Sequence, residues 1–128
     1  MYGYTKKMEL NFSNAIAKLR EELAKEGFGV LTEIDVKSTL KKKLDVDIEN
    51  YIILGACNPK MAHKALQVEK EIGLLLPCNV IVYEENGDVK VSAILPTQAM
   101  SVTGNNDLNK VAVQVEKSLK RVIDRLGG

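Results

Sequence analysis

Apolar residues alternate with polar ones along some stretches of the chain and recur every three to four positions along others, and these two rhythms predict its elements. Tyr2 to Leu10 is short and rich in β-formers and predicts a strand. Asn11 suits the N-cap of a helix that carries Phe12, Ala15, Ile16, Leu19 and Leu23 on one face, with Gly27 as its stop. Phe28 to Val36 reads as a second strand. Ser38 to Val46 predicts a short helix whose Lys41, Lys42 and Lys43 lie between two leucines; without a glycine-rich loop they read as a solvated face rather than a phosphate site. Tyr51 to Ala56 is almost wholly apolar, as a strand buried on both sides would be.

Asn58 then caps a helix with Pro59 at its first position, where a missing N–H does no harm. That helix carries Ala62, Ala65, Leu66, Val68 and Ile72 and is expected to run to Gly73. Val80–Glu84 and Val89–Ile94 predict two strands, and Asn86-Gly87 between them is a strong hairpin signal. Pro96 to Asn106 reads as a loop. Asp107 is expected to cap a last long helix with Leu108, Val111, Ala112, Val115, Leu119, Val122, Ile123 and Leu126 along its apolar stripe. The whole describes an α+β chain: a mostly antiparallel sheet with helices packed on one face. A crossover through the Pro59 helix to a parallel strand is the alternative, and no other βαβ repeat supports it. The sheet's other face would need cover, which a second copy could provide.

A chain of 128 residues suits a single domain spanning residues 1–128. Its 45% hydrophobic content allows a real core, and a formal net charge of +1 builds no field favouring nucleic acid or membrane. The absence of Trp and the small number of Phe and Tyr argue against a base-stacking platform. No apolar run approaches the roughly 20 residues of a bilayer span, and Met1 to Lys7 lacks the apolar core of a signal peptide. The expected address is cytoplasmic, where two cysteines are free thiols rather than a disulfide.

Those cysteines sit in two short runs, Leu54-Gly55-Ala56-Cys57-Asn58-Pro59 and Leu74-Leu75-Leu76-Pro77-Cys78-Asn79-Val80. Each places an asparagine after the cysteine and a proline beside the pair, and one helix separates them. Together with Gly27–Val36 and Ala62-His63-Lys64-Ala65-Leu66, they resemble the bacterial and archaeal domain-of-unknown-function family 302 over nearly the whole chain. The resemblance implies a curved antiparallel sheet backed by helices, like half of the TATA-binding protein, and small stand-alone proteins that dimerise. It carries no activity and no DNA binding, because fold does not fix function. The family pattern also leads one to expect an acidic residue before Pro96, where this chain has Leu95.

In an antiparallel layout the strand ending at Cys57 and the strand starting near Val80 meet at one end of the sheet. Cys57, Asn58, Cys78 and Asn79 are therefore candidate ligand-binding residues, with His63 one turn into the following helix. The N-terminus of that helix favours anions and thiolates. Several readings compete: buried cysteines that act as small hydrophobes, a redox or sulfur-handling thiol pair, a metal or haem site using Cys57, Cys78 and His63, and a small-anion pocket. The thiol pair is not a C-x-x-C. Structural zinc wants four ligands, so no metal is assigned; taken alone, His63 reads as a helix-surface residue. The cofactor stays unassigned, and so does enzymatic activity. Glu69 and Glu71 point to different sides of their helix, and Ser92 and Ser118 lack the signature of an activated nucleophile. The expectation is a cytoplasmic homodimer that binds a small molecule or anion at the cysteine edge, with thiol-based redox or sulfur chemistry as the alternative. Neither nucleic acid nor membrane is an expected partner.

Overall fold

A computed structural model describes residues 1–127. Five strands form one antiparallel sheet: β1 (Gly3–Met8), β2 (Gly29–Asp35), β3 (Tyr51–Cys57), β4 (Cys78–Glu85) and β5 (Asp88–Ile94). Their spatial order is β1-β5-β4-β3-β2, and every neighbouring pair is antiparallel. The class expected from the sequence is therefore the one observed, and the parallel crossover is excluded. β4 and β5 turn at Asn86 and Gly87, whose φ angles of 54° and 87° make the left-handed pair that a two-residue hairpin needs.

The helices are α1 (Phe12–Lys25), α2 (Val36–Leu44), α3 (Pro59–Val68), α4 (Pro96–Ala99) and α5 (Asn106–Asp124). Strand periodicity sends alternate side chains to opposite faces. Ile52, Leu54, Val80, Val82, Val91 and Ala93 point to the covered face, where they join Ala15, Leu19 and Leu23 of α1 and Leu119, Val122 and Ile123 of α5 in one core. A second, smaller cluster gathers Ala65, Ile72, Met100, Leu108 and Ala112 beside it. α2 contributes to neither. Its lysines are exposed as expected, and Lys41 pairs with Asp45 at 2.9 Å.

Where the elements differ from the sequence expectation, a side chain far along the chain is usually the cause. The third helix was expected to reach Gly73, yet it breaks at Glu69 and gives way to a 3-10 turn over Lys70–Leu75. The carbonyl of Val68 accepts instead from Asn105 Nδ2 at 2.8 Å, and the Ile72 N–H turns to the Glu69 carbonyl. Asn105, not Asp107, caps α5: its Oδ1 accepts from the Leu108 N–H at 3.1 Å. Asp107 sits in the first turn, where its charge suits the helix dipole. α2 starts two residues before the expected Ser38 because Asp35 Oδ1 accepts from the Ser38 N–H. The expected loop from Pro96 contains α4 and a 3-10 turn, Met100–Thr103. Leu95 makes no capping bond there; Glu116 of α5 meets the Thr97 N–H at 3.1 Å and its hydroxyl at 2.7 Å.

Candidate functional site

β3 ends at Cys57 and β4 begins at Cys78, with Ala56 directly opposite Cys78. The two cysteines are therefore one position apart across neighbouring strands at the same end of the sheet. Both are free. Cys78 is buried, and burial, aided by the neighbouring Cys57, pushes its thiol up to about 11. A thiol in that state is almost wholly protonated at neutral pH and is a poor nucleophile.

The backbone at this end is held close by two glycines. A Cβ on Gly55 would lie 2.1 Å from Thr32 Oγ1 and 2.6 Å from Pro77 Cγ, so neither neighbour could stay where it is. Gly27 has a φ of 83°, and a Cβ there would meet Asn58 Nδ2 at 3.3 Å. Asn58 links three elements. Its Oδ1 caps α3 by accepting from the Met61 N–H at 3.3 Å, and its Nδ2 donates to the Glu26 carbonyl at 3.4 Å. Glu26 in turn accepts from Arg121 Nε and Nη2 at 3.1 and 2.9 Å and from Arg125 Nη1 at 2.5 Å. The Arg121 guanidinium first, and Arg125 with it, hold the Glu26 carboxyl below its ordinary value. The end of α1, the end of α5 and the start of α3 are thus tied together beside Cys57.

These elements enclose a pocket of about 30 Å³ bordered by Cys57, Asn58 and Cys78. Ala62 and Ala65 of α3 and Ala112 of α5 leave the space, and Met61, Met100 and Leu76 close around it. About 10–15 Å³ admits one water, so the guest must be very small or the flexible methionines must move. A bare anion would be costly here: carbon and sulfur form most of the wall, and the amide of Asn58 is already bonded.

Not all the sequence candidates meet. Cys57, Asn58 and Cys78 border the pocket, whereas His63 is exposed on α3 and does not. Asn79 follows Cys78 in the strand, so it projects to the opposite face, where it borders a shallow depression with Tyr51, Ile81 and Ser92. Among the described residues no three His, Cys, Asp or Glu side chains are grouped to hold a metal ion, which removes the geometry that the reading with His63 required. The residues that sequence reasoning missed are Met61 and Met100, which line the pocket, and the Glu26–Arg121–Arg125 group that braces it. Met61 lies four residues beyond Cys57, at helical spacing from Asn58, and could have been noticed; Arg121 lies 95 positions from Glu26 and has no local signal.

The sequence profile described as Domain of unknown function DUF302 matches residues 4–126. The crystal structure of an uncharacterized conserved DUF302 protein from Bacillus stearothermophilus is similar to this chain over 98% of each, with 34% identity and a TM-score of 0.93. No curated protein sequence matches the chain. Among the described residues no helix is long and apolar enough to cross a membrane.

Proposed function

This chain belongs to the DUF302 family, and we propose for it a role as a single-domain cytoplasmic homodimer, a binding or accessory protein whose small ligand sits beside Cys57 and Cys78. The observation that carries this reading is the pocket of about 30 Å³ at the shared end of β3 and β4. It is bordered by both cysteines and by Asn58, whose Nδ2 donates to the Glu26 carbonyl. Thiol-based redox or sulfur handling is the weaker alternative, because burial keeps Cys78 protonated.

The dimer is supported by the open face of the sheet. Ile34, Ile53 and Ile81 lie side by side across β2, β3 and β4. Tyr51 and Tyr83 stack beside them with ring centroids 5.6 Å apart. Aromatic and branched side chains in a continuous row are what an interface core uses. The cations in the adjoining row are engaged locally, Lys7 with Asp88 and Lys90 with Glu85, so the face is poorly suited to phosphates. The TATA-binding-protein-like architecture belongs to the same reading as a scaffold, without DNA.

Native mass spectrometry of freshly purified, reduced protein tests the proposal. A two-chain species is expected, with a bound mass that is lost in Ala62→Leu, which fills the pocket. Ile81→Lys, placed in the middle of the open face, should return the protein to single chains. A monomer without any bound mass would refute both parts.

A further inference from the structure

We propose that the pocket takes a small, neutral, apolar molecule, which joins the two hydrophobic clusters of the fold into one. The inference rests on the ligand-pocket reading above and names the class of ligand. The pocket lies on the seam between the clusters. Phe28, Ala56 and Val115 on its wall belong to the larger cluster, and Ala65, Met100 and Ala112 to the smaller. Leu76 and Val111 pack against both, so the two cores meet around the space without filling it.

The gap follows from residue size. Ala62 and Ala65 are three positions apart on α3 and share one face of it. Ala112 interrupts the buried stripe of α5, whose other members are all leucine, valine or isoleucine. Three methyl groups therefore border a space that longer side chains would close. Such a space forfeits the contacts its walls would otherwise make, and a guest that supplies them is held by dispersion and by the apolar area it takes out of water.

The class of guest follows from what the walls lack. Among the described residues no charged side chain lines the space. Asn58 is the only amide there, and its oxygen and nitrogen are already bonded to the Met61 N–H and the Glu26 carbonyl. A water wants two to four polar partners, whereas apolar cavities stay dry and take xenon or hydrocarbon. An ion would lose its hydration without replacement. The volume of about 30 Å³ suits a guest of about two or three heavy atoms, since one water needs about 10–15 Å³. The wall best placed to admit it is α3: Ala65 is its one buried residue, and Met61 beside it is half-buried and unbranched, so it adapts to its neighbours.

The test reads alanine methyl resonances of the reduced full-length protein under xenon. Those of Ala62, Ala65 and Ala112 should move and saturate, while Ala15, buried in the larger cluster away from the pocket, should not. Ala62→Leu fills the space and should abolish the response of the other two. Met61→Ala enlarges it and should bind benzene at least about 10-fold more tightly than the wild type, the effect of burying about two further CH₂ groups. Formate, a charged probe of three heavy atoms, should leave all three methyl groups unmoved. A xenon response that survives Ala62→Leu, or benzene binding equal in Met61→Ala and the wild type, would overturn the inference. If formate moves these resonances, the apolar assignment falls and the ligand pocket stands; if neither probe enters, both fall.

Discussion

The two faces of the sheet are made by the same strands, often by consecutive residues, yet they are under different constraints. Leu54 is fully buried on the covered face, while its neighbour Ile53 is half-buried on the other. Val80, Val82 and Val91 on the covered face have no exposure, whereas on the open side Ile34 is 47% exposed and Tyr2 is 75% exposed. The chain closes one face with α1 and α5 and leaves apolar rows on the other. The covered face is therefore a matter of intramolecular packing, and the open face is where the proposed second copy would have something to bury. The pocket belongs to the covered side, at the end where β3 hands over to α3.

The sharpest test of that contrast is a pair of truncations. Leu54→Ala should cost about 3–4 kcal/mol, the range for a packed core site that leaves a cavity. Ile53→Ala should cost about 1 kcal/mol or less at low protein concentration. Urea midpoints measure both. In a homodimer the cost of Ile53→Ala grows with protein concentration, because association stabilises the folded state by mass action. Equal costs at every concentration would dissolve the distinction.

Next in size is a pH effect on the covered face. The Cys78 thiol is pushed up to about 11 in the folded chain from an ordinary 9.0. The unfolded chain loses this proton first, so its contribution to stability is full below pH 9 and is lost as pH rises towards 11. The loss amounts to about 3 kcal/mol, at about 1.4 kcal/mol for each of two pKa units. Other groups titrate in the same window, so the measured quantity is the difference between wild type and Cys78→Ala across it; a flat difference would contradict the burial of this thiol.

Gly55 shows that the open face is not loose everywhere. Gly55→Ala drives a methyl into Thr32 and the ring of Pro77 and should destabilise by about 2 kcal/mol, as overpacking does. The double variant with Thr32→Ala should recover part of that loss, and thermal unfolding reads both. Behind the pocket, Glu26→Gln should cost about 1.5 kcal/mol, the scale of hydrogen bonds to a charged group. Because its folded pKa is lowered by Arg121 and Arg125, the Glu26 contribution is present above the unfolded value of 4.5 and fades as pH falls through the folded one. Glu26→Gln should therefore lose less stability than wild type on acidification. The smallest effect belongs to the open face again: Thr5→Val breaks an exposed Thr5–Ser92 hydrogen bond of 2.8 Å and should change stability by less than about 0.5 kcal/mol.

Much of this architecture was legible before any coordinates, because its signals are local. Period-two and period-3.6 patterning marked the strands and the amphipathic stripes of α1 and α5. Asn86-Gly87 marked the turn, and Asn58-Pro59 marked the start of α3. Chain order alone brought Cys57 and Cys78 to one end of the sheet, since antiparallel neighbours place an end beside a beginning. The same alternation, applied one residue further, would have sent Asn79 to the face opposite Cys78.

What tertiary structure alone decided are the meetings of residues with no spacing to announce them. Asn105 stopped α3 and started α5 at once, by donating to Val68 and accepting from Leu108. Glu116 met the N-terminus of α4 where the chain has Leu95 instead of an acid. Arg121 and Arg125 closed on Glu26, and Met61 and Met100 came to line the pocket of the two cysteines. A side chain's local pattern fixes which way it points along its own element. Which distant side chain it finds there depends on how the elements pack, and that information is carried by the whole chain rather than by any segment of it.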